Sequence, residues 1–295
     1  MRDAGDTSPS TAVPYLRLED ALKAFAEATE TQSQSHIRPL HKHVALRLVI
    51  EGGFLPEDVS PRPPLAAEKV GKSWVLVLSP EAETSAEQTV VGGLKSKIVD
   101  VVVSKRGLGP VVAVSVKGTM GAFRNLTNRM EEAAGDCTNL HMMYPGLVYG
   151  FLSILKGHRP GDPGVQPNDL CLDDRGQVVP AVKRYHDVLV TLAGRRLVTN
   201  QQARYEAIAL AVVEPSGPQA GKVRDGWPPE QSLLSLGRFL PTIYGAYDLR
   251  YPYVAAQLAS ARRVEWAQTS PAFEAIAQGV EADLSVALGY DPRMA

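Results

Sequence analysis

Apolar residues recur along this chain with two periods, and the switches between them predict an alternation of helices and strands. Leu18, Leu22, Phe25 and Ala26 fall on one side of a predicted helix over Leu16–Thr29. Ile37, Leu40, Val44 and Leu48 form the stripe of a second helix over Ile37–Ile50, which Gly52-Gly53 should end. Trp74–Leu78 is a short apolar run expected to be the first strand of a sheet. Ile98–Val103 is rich in β-branched residues and is interrupted only by Asp100, and Val111–Val116 repeats the pattern. The intervening Lys105–Pro110 holds the glycines and proline of a hairpin loop, so these two strands should be antiparallel neighbours paired about Gly107, with Asp100 opposite Val114. Phe123, Leu126, Met130, Ala133 and Ala134 then share one face of a helix that should pack on the sheet.

Beyond a Gly135–Asn139 loop, Leu147–Leu155 reads as a buried helix and Val178–Leu192 as a strand region centred on Val188-Leu189-Val190. Ala207–Val213 is apolar throughout, which fits a strand or a helix. From Leu233 onward the pattern is helical, with Tyr244, Tyr247, Tyr251 and Tyr253 suiting an interface or a core edge. Proline-rich connections at 56–64 and 215–230 and a Pro/Gly-rich seam at 157–168 separate these runs. The expectation is an α/β protein with a mixed central sheet flanked by helices. Its first 14 residues would be a flexible N-terminal arm, and 15–295 a single domain whose core spans about 37–156 with additions over 157–295.

Composition narrows the function classes. A net charge of −1 and a pI near 6.6 argue against a strongly basic, indiscriminate coat for nucleic acid, but permit a site-specific enzyme with local basic patches. Two cysteines, Cys137 and Cys171, are too few for a disulfide framework or a zinc cage and suit a reducing cytoplasm. No apolar run approaches the length of a membrane span, and no basic-then-apolar leader is present, so a cytoplasmic protein is expected.

The chemistry collects at one end of the hairpin. Asp100 sits where its neighbours should be buried, and Ser115 and Lys117 share a face two positions apart on the second strand. On the next helix, Glu131 lies roughly 110° from the centre of the apolar face and Glu132 roughly 150°, so Glu131 is the acid placed to reach back. Two carboxylates and a lysine around one strand end suit a divalent metal, with the lysine near an attacking water or a phosphate. Singly, these residues would also suit an ion pair and a solvated helix face.

This arrangement resembles the PD-(D/E)xK nuclease superfamily, in which an Asp on one strand is followed by Glu-x-Lys on the next. Ser115-Val116-Lys117 lacks that glutamate, and so resembles the subgroup of type II restriction endonucleases, many of them cutters of CCGG-containing sites, in which Ser or Thr stands there and a glutamate from the next helix fills the space. Glu131, 14 residues beyond Lys117, has that subgroup's spacing. The resemblance implies a restriction-endonuclease-like fold and a Mg²⁺-dependent, site-specific double-stranded DNA endonuclease. Asp100 and Glu131 would hold metal, Lys117 would activate water, and Ser115 would occupy the vacated acidic position. It also implies a homodimer or homotetramer, since both strands of a palindrome must be cut. Alternatives are a repair, mobile-element or methylation-dependent nuclease on the same core, or a non-catalytic DNA-binding or assembly protein.

Glu51 falls in phase with the buried stripe at the C-terminus of its helix, where burial and the helix dipole both disfavour its charge. A metal or a basic partner would resolve that, and the superfamily commonly draws a further glutamate from a helix before the core strands. His36, His41 and His43 have metal-like spacing but no cysteine or acid beside them in sequence, and read as surface or DNA-facing residues. Arg124, Asn125, Asn128 and Arg129 on the helix, and Lys105 and Arg106 in the hairpin loop, are the expected DNA contacts. Gly92-Gly93 with Lys95 and Lys97 could meet a phosphate, although the Walker spacing is absent.

Overall fold

A computed structural model describes residues 13–29, 34–121, 123–251, 259–278 and 283–295, with the side chain of Arg124 excluded. Most of the expected N-terminal arm therefore lies outside the described residues. The chain runs α1 (Leu18–Glu27), α2 (Arg38–Ile50), β1 (Val59–Ser60), β2 (Leu65–Val70), β3 (Ser73–Leu78), β4 (Gln88–Val90), β5 (Lys97–Val99), β6 (Val101–Lys105) and β7 (Gly109–Thr119). It continues through α3 (Leu126–Met143), β8 (Val148–Lys156), α4 (Pro180–Leu192), β9 (Ala207–Val213), α5 (Leu236–Arg250), α6 (Pro271–Gln278) and α7 (Leu284–Leu288).

Five strands form a mixed sheet in the order β1-β6-β7-β8-β9. The pairs β1–β6 and β6–β7 are antiparallel, whereas β7–β8 and β8–β9 are parallel. The parallel pairs are joined by crossovers containing α3 and α4, as parallel neighbours require. Side chains alternate between two cores. Val112, Val114 and Val116 of β7 and Ala207, Ala209 and Ala211 of β9 pack with α1, α2, α5 and α6. Ala113 of β7 and Ile208, Leu210 and Val212 of β9 pack with α3 and α4. Helices on both faces of a mixed sheet make this the α/β class expected, and the architecture is compatible with the restriction-endonuclease-like fold.

Several elements depart from the pattern-based reading, for physical reasons. Leu147–Leu155 is not a helix. It is strand β8, buried along its whole length, where a parallel strand covered on both faces shows no alternation. Ala207–Val213 is a strand for the same reason. Val178–Leu192 is largely α4, with Val182, Tyr185 and Leu189 on its buried face, a spacing the Val188-Leu189-Val190 run masked. The segment Gly135–Asn139 continues α3. Trp74–Leu78 is β3, paired with β2 in a separate hairpin that α6 covers, and the strand paired to β6 at the sheet edge is Val59–Ser60, inside the proline-rich loop. Because β9 belongs to the central sheet, the sheet draws on residues from both sides of the 157–168 seam. Tyr244 and Tyr247 belong to the core, and Tyr253 lies outside the described residues. Among the described residues no helix is long and apolar enough to cross a membrane.

Candidate metal centre

Asp100 sits at a bend where the chain leaves one sheet and enters another. Before it, β5 pairs antiparallel with β4, Gln88 opposite Val99, so one further step of that register sets Glu87 across from Asp100. After it, β6 pairs with β7, Val101 opposite Val114, which brings Asp100 beside Ser115. The expected register about Gly107 holds only near the turn, where Lys105 faces Gly109 and Ser104 faces Pro110. A bulge at Val103/Ser104 leaves Val111 as the extra residue and shifts the remaining pairs by one.

The Asp100 carboxylate is held from one side and open on the other. Its Oδ2 accepts the Val116 backbone N–H at 2.7 Å and the Ser115 hydroxyl at 3.1 Å, with Lys117 Nζ at 3.4 Å. Ser115 thus helps to fix the aspartate. Oδ1 lies 3.9 Å from His41 Nε2, and the other nitrogen of that ring, Nδ1, is 3.4 Å from Glu87 Oε1. His41 comes from the first turns of α2 and is 3 % exposed. Burial, opposed by Asp100 and reinforced by Lys117, holds its pKa down to about 4, so the ring is neutral near pH 7. Burial and then the negative charge of Asp100 push the Glu87 carboxyl up, only partly countered by Lys117.

His41, Glu87 and Asp100 each offer one ligand atom, all within 4.8 Å of one another. Two partly desolvated carboxylates flank the buried His41 ring, Asp100 beside Nε2, which has no hydrogen-bond partner in the protein, and Glu87 beside Nδ1, an arrangement that a divalent cation would satisfy.

His41 and Glu87 line a separate small pocket with Arg38 and Lys42, whereas Asp100 opens on a cleft of about 820 Å³ at the C-terminal ends of β7 and β8 and the N-terminal end of α3. Asp100 and Lys117 line it, and Arg129, Lys156, His36 and His158 add cationic or protonatable groups. Lys156 Nζ donates to the Ala28 carbonyl at 3.2 Å, and burial lowers its pKa. The carboxyl ends of parallel strands are where open α/β sheets ordinarily bind ligands.

The structure brings together only part of the expected set. Asp100, Ser115 and Lys117 are adjacent, but neither predicted glutamate joins them. Glu131 is exposed, and by helix phase it lies about 200° around α3 from the cleft-lining Arg129. Glu51 caps the far end of α2, roughly 15 Å along the helix from His41. There Arg47 donates to both its oxygens, at 2.7 and 2.8 Å, and Tyr244 donates at 3.1 Å. Its basic partner in this structure is Arg47.

Of the expected DNA contacts, Arg129 lines the cleft and Asn125 and Asn128 are exposed beside it in sequence, while the Arg124 side chain is outside the described residues. Lys105 is buried and paired with Asp58 at 2.7 Å, and it and the exposed Arg106 lie at the opposite end of the hairpin from Asp100. Lys97 is paired with Asp136 of α3. The histidines are not surface groups: His36, His41 and His43 are all buried.

Sequence reasoning missed Glu87 and His41, though each left a signal. Glu87 and Asp100 are equidistant from the Gly93–Leu94 turn, so a hairpin centred there would have paired them. His41 lies one residue past Leu40 on the buried stripe of α2. A second acid–imidazole–thiol group, Glu206, His141 and Cys137, is sealed from solvent, and burial pushes the Cys137 thiol well up, so it is structural. Compared with known proteins, the chain matches no family model, no curated protein and no solved structure.

Proposed function

We propose that this chain is a metal-dependent phosphodiester hydrolase acting on double-stranded DNA, a site-specific endonuclease of the restriction type, with Mg²⁺ as the ion its sequence resemblance implies. The observation that carries the reading is one carboxylate used in two directions. Asp100 is fixed through Oδ2 by Ser115, Val116 and Lys117, while Oδ1 faces Glu87 and His41 at the edge of an open cleft.

When bound, a divalent cation supplies Lewis acidity at a phosphoryl oxygen and a water of lowered pKa. The protein's own contributions are positional. The Ser115 hydroxyl and the Val116 N–H hold the Asp100 carboxylate in one orientation. Lys117 touches Asp100 and lines the cleft, and so is the group to hold the attacking water or the scissile phosphate. Arg129 and Lys156 are the cleft cations available to the phosphate backbone. Cutting both strands calls for two such centres related by a two-fold axis, hence a homodimer or homotetramer.

The test is cleavage of plasmid or phage DNA into discrete fragments. Activity is expected with Mg²⁺ and absent in EDTA, and Asp100→Ala and Lys117→Ala are each expected to abolish it. Cleavage that survives EDTA, or an Asp100→Ala variant that cuts like the parent, refutes the assignment. DNA binding without cutting under any divalent cation would favour a DNA-binding or assembly role instead.

A further inference from the structure

We propose that His41 and Glu87 are metal ligands together with Asp100, and that this mixed nitrogen–oxygen set selects a first-row transition divalent cation over Mg²⁺ and Ca²⁺. The inference rests on the hydrolase reading for its biological purpose but not for its evidence, which is the geometry of three side chains.

His41 is 3 % exposed, and its Nε2 has no hydrogen-bond partner while pointing at Asp100 from 3.9 Å. At that separation it is not hydrogen-bonded to the carboxylate, and natural proteins rarely leave a buried polar atom without a partner to meet it. Glu87 and Asp100 meanwhile place two carboxylates side by side. Lys117 reaches Asp100, whereas the ring that Glu87 meets is a neutral imidazole. One cation answers both problems.

Three donors within 4.8 Å of one another are close to what a single ion needs. Three ligand atoms spread evenly around an ion at ~2.1 Å are ~3.6 Å apart, so side-chain shifts of at most about 0.7 Å each suffice.

The donor chemistry then discriminates between metals. Mg²⁺ and Ca²⁺ prefer all-oxygen shells, whereas imidazole raises affinity for the transition series, in which Mn²⁺ is the weakest binder. Mn²⁺ is therefore the most demanding probe of the idea. The three ligands also come from separate places, the first turns of α2, the start of β4 and the β5–β6 junction, so the site exists only once the fold has formed.

The experiment is direct binding to the DNA-free protein, by calorimetry with MnCl₂, MgCl₂ and CaCl₂ and by electron paramagnetic resonance with MnCl₂. Mn²⁺ is expected to bind at least about tenfold more tightly than Mg²⁺. His41→Gln should erase most of that preference while leaving Mg²⁺ affinity within about threefold, and Glu87→Gln should weaken both ions by about tenfold or more. Should His41→Gln fail to fold, the wild-type protein still decides: Mn²⁺ must broaden the His41 ring resonances before those of His43, which lies on another face of α2.

Equal affinity of folded His41→Gln and wild type for Mn²⁺, or early broadening elsewhere, overturns the proposal. The two readings fail separately. Selective Mn²⁺ binding at His41 in a protein that cuts no DNA refutes the hydrolase and keeps the site. Metal-dependent cutting by a His41→Gln variant with unchanged Mn²⁺ affinity keeps the hydrolase and removes the ligand.

Discussion

Glu87→Gln should stabilise the metal-free protein and cripple the metal-bound one. The Glu87 and Asp100 ligand atoms lie no more than 4.8 Å apart. Two unit charges at that distance repel by about 3.5 kcal/mol at an effective dielectric of ~20, and by about 0.9 kcal/mol in bulk water. Glu87 is 19 % exposed and Lys117 offsets part of the charge, so the relief on neutralising Glu87 belongs near the lower figure, about 1 kcal/mol. The isosteric amide keeps the volume and a partner for the His41 ring. For a chain of this size that gain corresponds to a rise of about 2 °C in Tm.

The assay is thermal unfolding of both proteins in EDTA and again with saturating MnCl₂. In EDTA the variant should melt higher, and with metal the order should invert, because a ligand that binds only the native state stabilises the protein that can bind it. A variant that melts lower in EDTA, or gains as much from Mn²⁺ as wild type does, would show that Glu87 is a structural acid whose charge the fold requires. The expected inversion makes the site a compromise of a familiar kind, with stability forgone where function needs like charges held together.

Three further outcomes test other parts of the structure. Glu131→Ala should cut DNA at the parental rate and unfold within ~0.5 kcal/mol of it, as expected of an exposed residue away from special features; loss of cutting at matched stability would return the relocated glutamate to the site. Glu206→Ala should cost about 3–5 kcal/mol in urea unfolding, since it strips the acceptor from Arg195 (2.9 Å), Arg250 (2.8 Å) and the Tyr149 N–H (2.7 Å) and leaves a guanidinium with no exposed side-chain surface uncompensated. His43 is held neutral by burial, its pKa lowered from 6.5 to about 4, so the unfolded chain takes up its proton first as pH falls. Its contribution to stability is complete above pH 6.5 and is lost progressively down to about pH 4, amounting to about 3 kcal/mol. His43→Gln should flatten the stability profile across that window by about one proton, and an unchanged slope would refute the assignment.

What could be read from the chain tracks how local each signal was. The Asp100 hairpin, α2 and the buried face of α3 come from patterns contained within a few turns or one strand pair, and all three exist. Elements buried on two faces lose their periodicity, which is why β8 looked helical and β9 stayed ambiguous. Asp100, Ser115 and Lys117 of the hairpin lie within 18 positions of one another and were found together. The other two donors are set by long-range placement. Glu87 arrives through a two-stranded ribbon whose three-residue strands are too short to announce themselves, and His41 through the packing of a helix almost wholly buried, so that its stripe carried little contrast. Glu131 met the spacing rule and still points away. A count of residues beyond Lys117 does not include the rotation with which α3 leaves the end of β7.

The junction at Asp100 also has consequences for how such a centre could change. One of its acids stands on a ribbon joined to the central sheet by a single bend, whereas the lysine and serine are built into a strand buried on both sides. Lengthening the turn over 91–96 would leave the pairing of Gln88 with Val99 intact, but sliding that pairing by one residue would turn Glu87 to the opposite side. With Val90 and Val99, its two contributions to the core, kept in place, the ribbon behaves as an exchangeable cassette whose remaining positions could be swapped to retune charge and metal preference. Grafting Asp or His at position 87 is the smallest such exchange.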